Sequence, residues 1–475
     1  MRVLFVIPGY HGHIQPTYAL ADALIKAGNL VTYCVPSPIF RERIEAMGAL
    51  YIEIPDFLNQ IQKSDKKTEE TKLSEESFLS SLNDHEYTKL YIATCDKYYE
   101  SDTKAVKYFF NVIQYNQYDL IIGDKLYNFG MLLAKTYQIP FIQSDYHIFH
   151  VHENEYDIMR LAHLSLEQKK YINKDCFERF NSYLKICCSV PMGSILPIDA
   201  YIKAYNDPVH HVIVYAPKIL FQNDRAISNY ENYLFLGNRF DKILDIAQLS
   251  KKELYSNDNI YISLGTIMNL RFSIFKTALE ILGKSTYNVT ISCGGANEIF
   301  EKLSVANIYD NIHIFLFLNQ KEILLKTDVF ITHGGANSVY EALYYSVPMI
   351  LIPNGGDQIE NSKMVERLKV GKAILSYDNN FLSDLEKALQ NIKNDYQLYK
   401  ENTEKVQNWL LQSSKPSEIV IQIEHLLSTK RENLLMYVEE ISSKSSVECT
   451  FSDYYAELFS YNMCAVDSNI IGDSN

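Results

Sequence analysis

The chain has 475 residues, 47% of them hydrophobic, and this length accommodates two α/β domains that each bury a core. Its formal net charge of -13 argues against nucleic acids and anionic membrane surfaces as partners, because both are bound through clustered Lys and Arg. The eight cysteines form no Cys-x-x-Cys pair, so the sequence predicts reduced thiols without a bound metal.

The N-terminal sequence MRVLFVIPGYHGH contains an apolar run that is too short for a signal peptide, and no small-residue cleavage site follows it. The chain also contains no stretch of about 18 apolar residues without a charge, which a membrane-spanning helix needs. We therefore expect no membrane span and a cytoplasmic location.

The first half of the chain has the pattern of a parallel sheet with connecting helices. In the opening βαβ unit, Pro16 fits the first turn of a helix and Gly28 ends that helix. An irregular region rich in Tyr, His and Phe, residues 146–188, is suited to line a variable pocket. Strands are predicted at residues 3–7, 30–35, 118–122, 139–142 and 210–217, the last of them closing this half.

The same pattern then restarts and predicts a second parallel sheet. Its strands are predicted at residues 260–264, 288–292, 312–317 and 328–332, with a further strand at 349–352. The expected fold class is therefore α/β, with two doubly wound, Rossmann-like domains facing across a cleft. The predicted domains are residues 1–222 and 223–428, with a linker at 223–250.

A tail, residues 429–475, exceeds what two such domains need. Its apolar residues predict two short amphipathic helices. Two interpretations remain open: the helices pack against the body of the protein, or they serve self-association or docking of a partner.

The most informative motif is HGGANSVYE at residues 333–341, directly after a predicted strand. Its glycines allow a tight turn, and the helix that begins there presents free N–H groups and a positive dipole end to an anion. This arrangement predicts a diphosphate site, with Glu341 placed to accept hydrogen bonds from a ribose. Taken singly, Glu341 also fits a solvated helix acid and Ser338 an ordinary capping residue. The expected ligand groups are His333, Gly334, Gly335, Asn337, Ser338 and Glu341.

A second pair of polar residues, Asp357 and Gln358, begins the helix that follows the strand at 349–352. A carboxylate beside an amide offers acceptors and a donor for adjacent sugar hydroxyls. The alternative for Asp357 is an ordinary N-cap.

Residues 333–358 resemble the nucleotide-sugar signature of family 1 glycosyltransferases, the UDP-dependent enzymes that include macrolide and plant natural-product glycosyltransferases. The family pattern His-x-Gly-x-Asn-Ser-x-x-Glu, followed by Asp-Gln, is matched residue by residue. Residues 12–16 (GHIQP) resemble the family's Gly-His-x-x-Pro, and residues 263–266 (SLGT) resemble its Ser-x-Gly-Ser/Thr phosphate loop. The resemblance spans residues 1–428 and implies the GT-B fold.

The chain departs from the family in two places. Where the family has an aromatic-x-Pro-Gln run for the uracil ring, this chain has Phe317, Leu318, Asn319 and Gln320. The resemblance assigns Phe317 to stacking on the base and Gln320 to donor binding, and the missing Pro leaves the loop geometry open. The tail after residue 428 has no counterpart in the family.

The chemistry that the resemblance implies is inverting glycosyl transfer. His13 matches the family's general base, since histidine has an ordinary pKa suited to this role near neutral pH. Asp124 resembles the carboxylate partner that orients the base. The alternative interpretation of Asp124 is an ordinary turn residue. His11 is close by in the sequence and could be confused with the base; the alternative is that it is an ordinary loop residue.

The resemblance also implies how the leaving diphosphate is held. The expected donors are His333 with its Gly-Gly turn, Ser338, and Thr266 on its own loop. No metal or other cofactor is expected, and no Asp-x-Asp motif occurs in the chain. Histidines and an acid at residues 147–153 lack the spacing of a standard zinc site, so surface or acceptor-pocket positions are the preferred interpretation.

The leading hypothesis is therefore transfer of a hexose from a UDP-sugar, with UDP-glucose as the expected donor, to a hydroxyl of a hydrophobic small molecule such as a polyketide, macrolide or phenolic. A dTDP-linked sugar remains open. Two alternatives share the fold: a UDP-sugar 2-epimerase, and an auxiliary protein that has lost catalysis and activates a partner.

Overall fold

A computed structural model describes the parts of the chain that carry both predicted sheets. The described residues are 1–55, 118–124, 130, 133–134, 139–146, 211–221, 232–239, 259–265, 272–353, 357–375 and 381–428. The chain divides into two units, Met1–Val420 and Ile421–Asn475. Both sheets belong to the first unit, and in the second unit the described residues, 421–428, are helical.

The first sheet has seven parallel strands in the order β3-β2-β1-β4-β5-β6-β7. Its strands are β1 Arg2–Val6, β2 Leu30–Val35, β3 Leu50–Glu53, β4 Leu120–Asp124, β5 Phe141–Asp145, β6 His211–Val214 and β7 Tyr233–Phe235. The chain order reverses between β1 and β4, and ligands of such sheets bind where the carboxyl ends of the strands meet this reversal.

The second sheet has six parallel strands and repeats the same reversal. Its order is β10-β9-β8-β11-β12-β13. The strands are β8 Asn259–Ser263, β9 Asn288–Ser292, β10 Ile312–Phe315, β11 Val329–Thr332, β12 Met349–Leu351 and β13 Gly371–Ala373. The ends of β8 and β11 therefore lie side by side, as the ends of β1 and β4 do in the first sheet.

Helices connect the strands, as parallel pairing requires. Those in the described part of the chain are α1 His11–Ile14, α2 Tyr18–Lys26, α3 Arg41–Ala46, α4 Phe272–Leu282, α5 Asn297–Ala306, α6 Gln320–Leu324, α7 Ala336–Tyr344, α8 Asp357–Arg367, α9 Phe381–Asn394 and α10 Tyr396–Gln412, followed by helical residues 416–428. Among these helices, none is both long enough and apolar enough to cross a bilayer.

Both faces of the second sheet are covered, because alternate residues of a strand point to opposite faces. On β11, Phe330 packs into one apolar core and stacks on Tyr261 of β8, with ring centroids 4.9 Å apart. Its neighbours Val329 and Ile331 pack into the other core, on the opposite face. Near-continuous apolar runs such as VFIT are typical of strands buried on both sides.

The structure confirms the α/β fold class with two Rossmann-like sheets, and it corrects several details. An outer strand, β7, lies beyond the predicted closing strand at 210–217, and β13 extends the second sheet past the predicted strands. His13 lies in the short helix α1, which no predicted element included. Pro16 lies in a 3₁₀ turn, Gln15–Thr17, between α1 and α2, where its missing N–H interrupts the α-helical bonding. The predicted domain boundaries stay a prediction, and the tail at 429–475 lies outside the described residues.

Candidate active site

The predicted His–Asp pair comes together at the reversal point of the first sheet. Asp124 is the last residue of β4, and His13 lies in α1, which follows the neighbouring β1. His13 Nδ1 lies 3.0 Å from Asp124 Oδ2, and both side chains are buried. A carboxylate can only accept here, so Nδ1 carries the proton and Nε2 is left as the acceptor nitrogen of the neutral ring.

Aromatic side chains surround this pair. The ring of Tyr146, which follows β5, lies with its centroid 3.9 Å from that of His13, and the centroid of the Tyr10 ring lies 5.8 Å from it. The neighbouring His11 packs edge-on against Phe40 at 4.8 Å, and burial lowers its pKa. The structure therefore places His13, and not His11, against the carboxylate.

The predicted diphosphate turn joins β11 to α7. Gly334 has φ +87°, a left-handed value, and a Cβ on it would lie 2.9 Å from Leu351 Cδ2. Gly335 is the N-cap of α7, and a Cβ on it would lie 2.5 Å from His333 Nε2. The left-handed φ makes Gly334 the position that requires glycine, whereas a side chain at Gly335 would have to displace the His333 ring.

His333 lies beside this turn and packs on the loop after β8. A Cβ on Gly265 would lie 2.8 Å from His333 Cε1, so the two loops at the reversal point of the second sheet touch. His333 Nδ1 lies 3.3 Å from Thr332 Oγ1. Burial lowers the pKa of His333 to about 4, which makes it a neutral hydrogen-bonding group near pH 7. Thr266, the donor expected on the touching loop, lies outside the described residues.

Asp357 and Gln358 lie at the start of α8, close to the same turn. Asp357 Oδ2 accepts from the Ala336 N–H at 3.3 Å, so this carboxylate caps α7. Asn361 Nδ2 donates to Asp357 Oδ2 at 3.1 Å and to the Gly334 carbonyl at 2.8 Å. Asn361 was not among the predicted residues, although its position one helical turn after Asp357 puts the two side chains on the same face of α8. The Gln358 side chain is buried.

The expected ribose acceptor, Glu341, lies one turn into α7 in a polar cluster. Gln320 Nε2 donates to Glu341 Oε2 at 2.8 Å and to Ser338 Oγ at 3.5 Å. Burial raises the pKa of Glu341, while the charge of Lys321 acts in the opposite direction. The structure thus brings Gln320, Ser338 and Glu341 together. Phe317, expected to stack on the base, is 66% exposed.

Asn337 connects the two halves of the site. Its Nδ2 donates to the His11 carbonyl at 3.1 Å, so the first turn of α7 contacts the segment that carries His13. Its Oδ1 accepts from Nη1 of the buried Arg239 at 2.9 Å. Arg239 was not predicted, because no motif surrounds it. The only signal in the sequence is a charged residue directly after the run YLFLGN.

Within the described residues, no three His, Cys, Asp or Glu side chains are grouped so that they could hold a metal ion. The histidines at residues 147–153 lie outside that part of the chain.

Comparisons with known proteins agree with this arrangement. Residues 271–423 match the glycosyltransferase family 28 C-terminal domain. The chain is 25% identical over 372 residues to the uncharacterized UDP-glucosyltransferase YojK of Bacillus subtilis (strain 168), an alignment that covers 77% of this chain and 83% of that protein. It is also 25% identical over 391 residues to the NDP-glycosyltransferase YjiC of Bacillus licheniformis, covering 79% of this chain and 85% of that protein.

The fold is shared with solved structures. The crystal structure of the glycotransferase of kitacinnamycin superposes with a TM-score of 0.67 at 19% identity, covering 90% of this chain and 99% of that chain. Two Rossmann-like sheets, a nucleotide-type turn in the second and a His–Asp pair in the first define a glycosyltransferase with the GT-B fold. In sequence the chain is similar to UDP-dependent and NDP-dependent glycosyltransferases of Bacillus, and in fold to glycosyltransferases of the family 1 type.

Proposed function

We propose that the protein transfers a hexose from a UDP-sugar, with UDP-glucose as the expected donor, to a hydroxyl of a hydrophobic small molecule, with inversion at the anomeric carbon. The observation that carries the proposal is the buried His13–Asp124 pair, whose segment is contacted by the first turn of α7 through Asn337. The turn at residues 333–335 is called the donor turn below. Its closeness to the base supports direct attack of an acceptor on a bound donor.

His13 is the general base in this proposal. Asp124 accepts a hydrogen bond from the protonated Nδ1 of His13, which leaves Nε2 free to accept a proton. Nε2 takes the proton of the acceptor hydroxyl as the hydroxyl oxygen bonds to the anomeric carbon. The bond from that carbon to the phosphate oxygen breaks, and UDP leaves with its electron pair. Asp124 then faces an imidazolium, which its carboxylate stabilises.

The turn at His333 to Gly335 would hold the leaving diphosphate. The dipole of α7 favours an anion there, although the Ala336 N–H already donates to Asp357, and a neutral His333 adds a hydrogen bond without a charge. Glu341 would accept from the ribose, a role that competes with its present partner, Gln320. Asp357 and Gln358 remain the candidates for the sugar hydroxyls. The name of the Bacillus subtilis relative supports UDP as the carrier.

An apolar acceptor is supported by the aromatic rings beside the base. Tyr10 and Tyr146 both face His13, and they offer apolar surface at the point where the reacting hydroxyl must lie. The structural relative named for kitacinnamycin is consistent with a natural-product acceptor.

The test is incubation of the protein with UDP-glucose, and separately with a dTDP-sugar, together with a panel of phenolic and macrolide alcohols. We expect an acceptor mass gain of one sugar, release of UDP, and inverted stereochemistry at the new bond. His13→Ala should slow transfer by about 10²-fold to 10⁴-fold, because it removes the base. The exposed His313, replaced by Ala, is the matched control and should keep wild-type transfer.

Other results would contradict the proposal in distinct ways. Free epimerised sugar without acceptor modification would indicate an epimerase. Binding of UDP without turnover of any donor and acceptor would favour an auxiliary role. Transfer that survives His13→Ala would refute the assignment of the base while leaving glycosyl transfer in place.

A further inference from the structure

Arg239, which follows β7, has a buried side chain held by groups from both halves of the protein. Its Nε donates to the Tyr215 carbonyl, next to β6, at 2.7 Å. Its guanidinium carbon lies 3.9 Å above the ring of Tyr340 on α7, and its backbone N–H donates to the Tyr340 hydroxyl at 2.9 Å. The side chain is thus fixed between the end of the first sheet and α7.

Among the described residues no carboxylate forms an ion pair with Arg239, and the charge of Glu341 offsets only part of the effect of burial on its pKa. Within the described part of the chain, Nη2 of Arg239 is buried and has no hydrogen-bond partner. Burial lowers the pKa of Arg239 to about 10, so the side chain still carries its charge at neutral pH. A buried cation of this kind is costly, and replacing such groups by apolar residues is often neutral or stabilising. The contact made by Nη1 therefore explains the presence of this buried guanidinium better than a gain in stability does.

Nη1 donates to Oδ1 of Asn337 at 2.9 Å, and this contact determines which way the amide faces. A guanidinium has donors and no acceptor, so only the amide oxygen can face it. The Asn337 NH₂ group must then face the other way, where it lies 3.1 Å from the His11 carbonyl and 3.4 Å from the Gly12 carbonyl. A flipped amide would put its oxygen against two carbonyl oxygens and lose every one of these bonds.

We propose that Arg239 is a positioning residue for catalysis: by fixing the orientation of the Asn337 amide, it holds the backbone of His11 and Gly12 and so keeps His13 in register with the donor turn. These two side chains are called the Arg239–Asn337 clasp below. The clasp bonds to the His11 and Gly12 carbonyls. It acts through the backbone directly before His13, and a displacement of about 1 Å in a catalytic group can cost about 10²-fold in rate.

The inference rests on the proposed function, because the rate of sugar transfer is its main readout. The first variant is Arg239→Met, which keeps the length of the side chain and removes the donor to Asn337. We expect kcat to fall by about 10-fold to 100-fold, while the Kd for UDP changes by less than about 3-fold, since α7 and its turn are retained. Arg367→Met, at an exposed position on α8, is the matched control and should change neither quantity.

A double-mutant cycle tests whether the two side chains act as one unit. Arg239→Met combined with Asn337→Leu should be no slower than Asn337→Leu alone, to within about 2-fold, because the second change removes nothing that remains. Independent effects that multiply would overturn the inference. So would an unchanged kcat in Arg239→Met, or a loss of UDP affinity as large as the loss of kcat, which would make Arg239 a donor ligand.

A separate variant keeps the inference testable if Arg239→Met unfolds, as judged by a large fall in Tm. Asn337→Asp retains an acceptor for Arg239 but replaces the NH₂ group by an oxygen that faces the His11 and Gly12 carbonyls. We expect a fall in kcat of about 10-fold or more with Tm maintained; wild-type kcat in this variant would overturn the inference. If the wild-type protein transfers no sugar with any donor, the proposed function is refuted. If the wild type is active and the clasp variants keep its kcat, only the role of the clasp is refuted.

Discussion

At the scale of single residues, His333 shows how burial sets the state of a side chain and makes stability depend on pH. Its pKa in the folded protein is about 4, below the ordinary 6.5, because burial disfavours the charged ring. Between pH 6.5 and pH 4 the unfolded chain therefore binds a proton that the folded chain does not. The contribution of His333 to the free energy of unfolding falls as pH falls through this window.

The prediction is that replacement of His333 removes this dependence. In urea unfolding at pH 7, 5.5 and 4.5, the wild-type free energy of unfolding should fall more steeply than that of His333→Asn. The exposed His313, replaced by Asn, is the control and should keep the wild-type slope. Equal slopes for wild type and His333→Asn would mean that the ring of His333 takes up its proton equally in both states.

The residue scale also shows what the sequence could and could not indicate. His13, Asp124 and Glu341 could be selected as candidates because residue type and a position after a strand or on a helix are local features of the sequence, and their roles stay predictions. The capping of α7 by Asp357 and the contact of Gln320 with Glu341 depend on side chains from different helices, and no local pattern encodes them. Arg239 was missed for the same reason.

At the scale of elements, the turn between β11 and α7 should tolerate no side chain at Gly334. Gly334→Ala forces a left-handed φ of +87° on an alanine and puts its Cβ 2.9 Å from Leu351 Cδ2. We expect the free energy of unfolding to drop by about 1–3 kcal/mol from the backbone conformation alone. UDP should also bind more weakly, because the N–H groups of α7 move with the turn. Chemical denaturation and UDP titration measure the two effects.

Gly12 provides the matched control for that substitution. It lies inside α1, and an added Cβ would meet no atom within 4 Å. Gly12→Ala should therefore leave stability unchanged or raise it by about 0.5–1 kcal/mol, since alanine favours a helix. If Gly334→Ala were as stable as Gly12→Ala, the turn would not require glycine.

Elements were predictable where local pattern decides them. Apolar runs indicated β1, β2, β8, β9 and β11 close to their observed positions, and a turn containing glycine follows each of them except β2. The short outer strands β7 and β13 have three residues each, and such lengths carry too little periodicity to be recognised. Their pairing depends on the neighbouring strand, which supplies the hydrogen bonds.

At the scale of the whole molecule, the two sheets could be predicted but their contact could not. The restart of the βα pattern indicates a second Rossmann-like sheet, and the reversal of strand order in each sheet puts a ligand site at its carboxyl edge. The bond from Asn337 to His11 joins residues 326 positions apart, beyond the reach of any local signal. This contact joins the first turn of α7 to the segment that carries His13, and the proposed clasp acts through it.

Coupling of this kind predicts that UDP changes the segment around His13 without touching it. In hydrogen exchange followed by mass spectrometry, UDP should slow exchange in peptides covering α7 in both the wild type and Arg239→Met, which verifies binding. Peptides covering α1 should be slowed by about 5-fold or more in the wild type only, because the clasp transmits the ordering of α7 to the His11 and Gly12 backbone. Equal protection of α1 in both proteins would show that the halves communicate by another route, and no protection in either would show that donor binding and the placement of the base are independent.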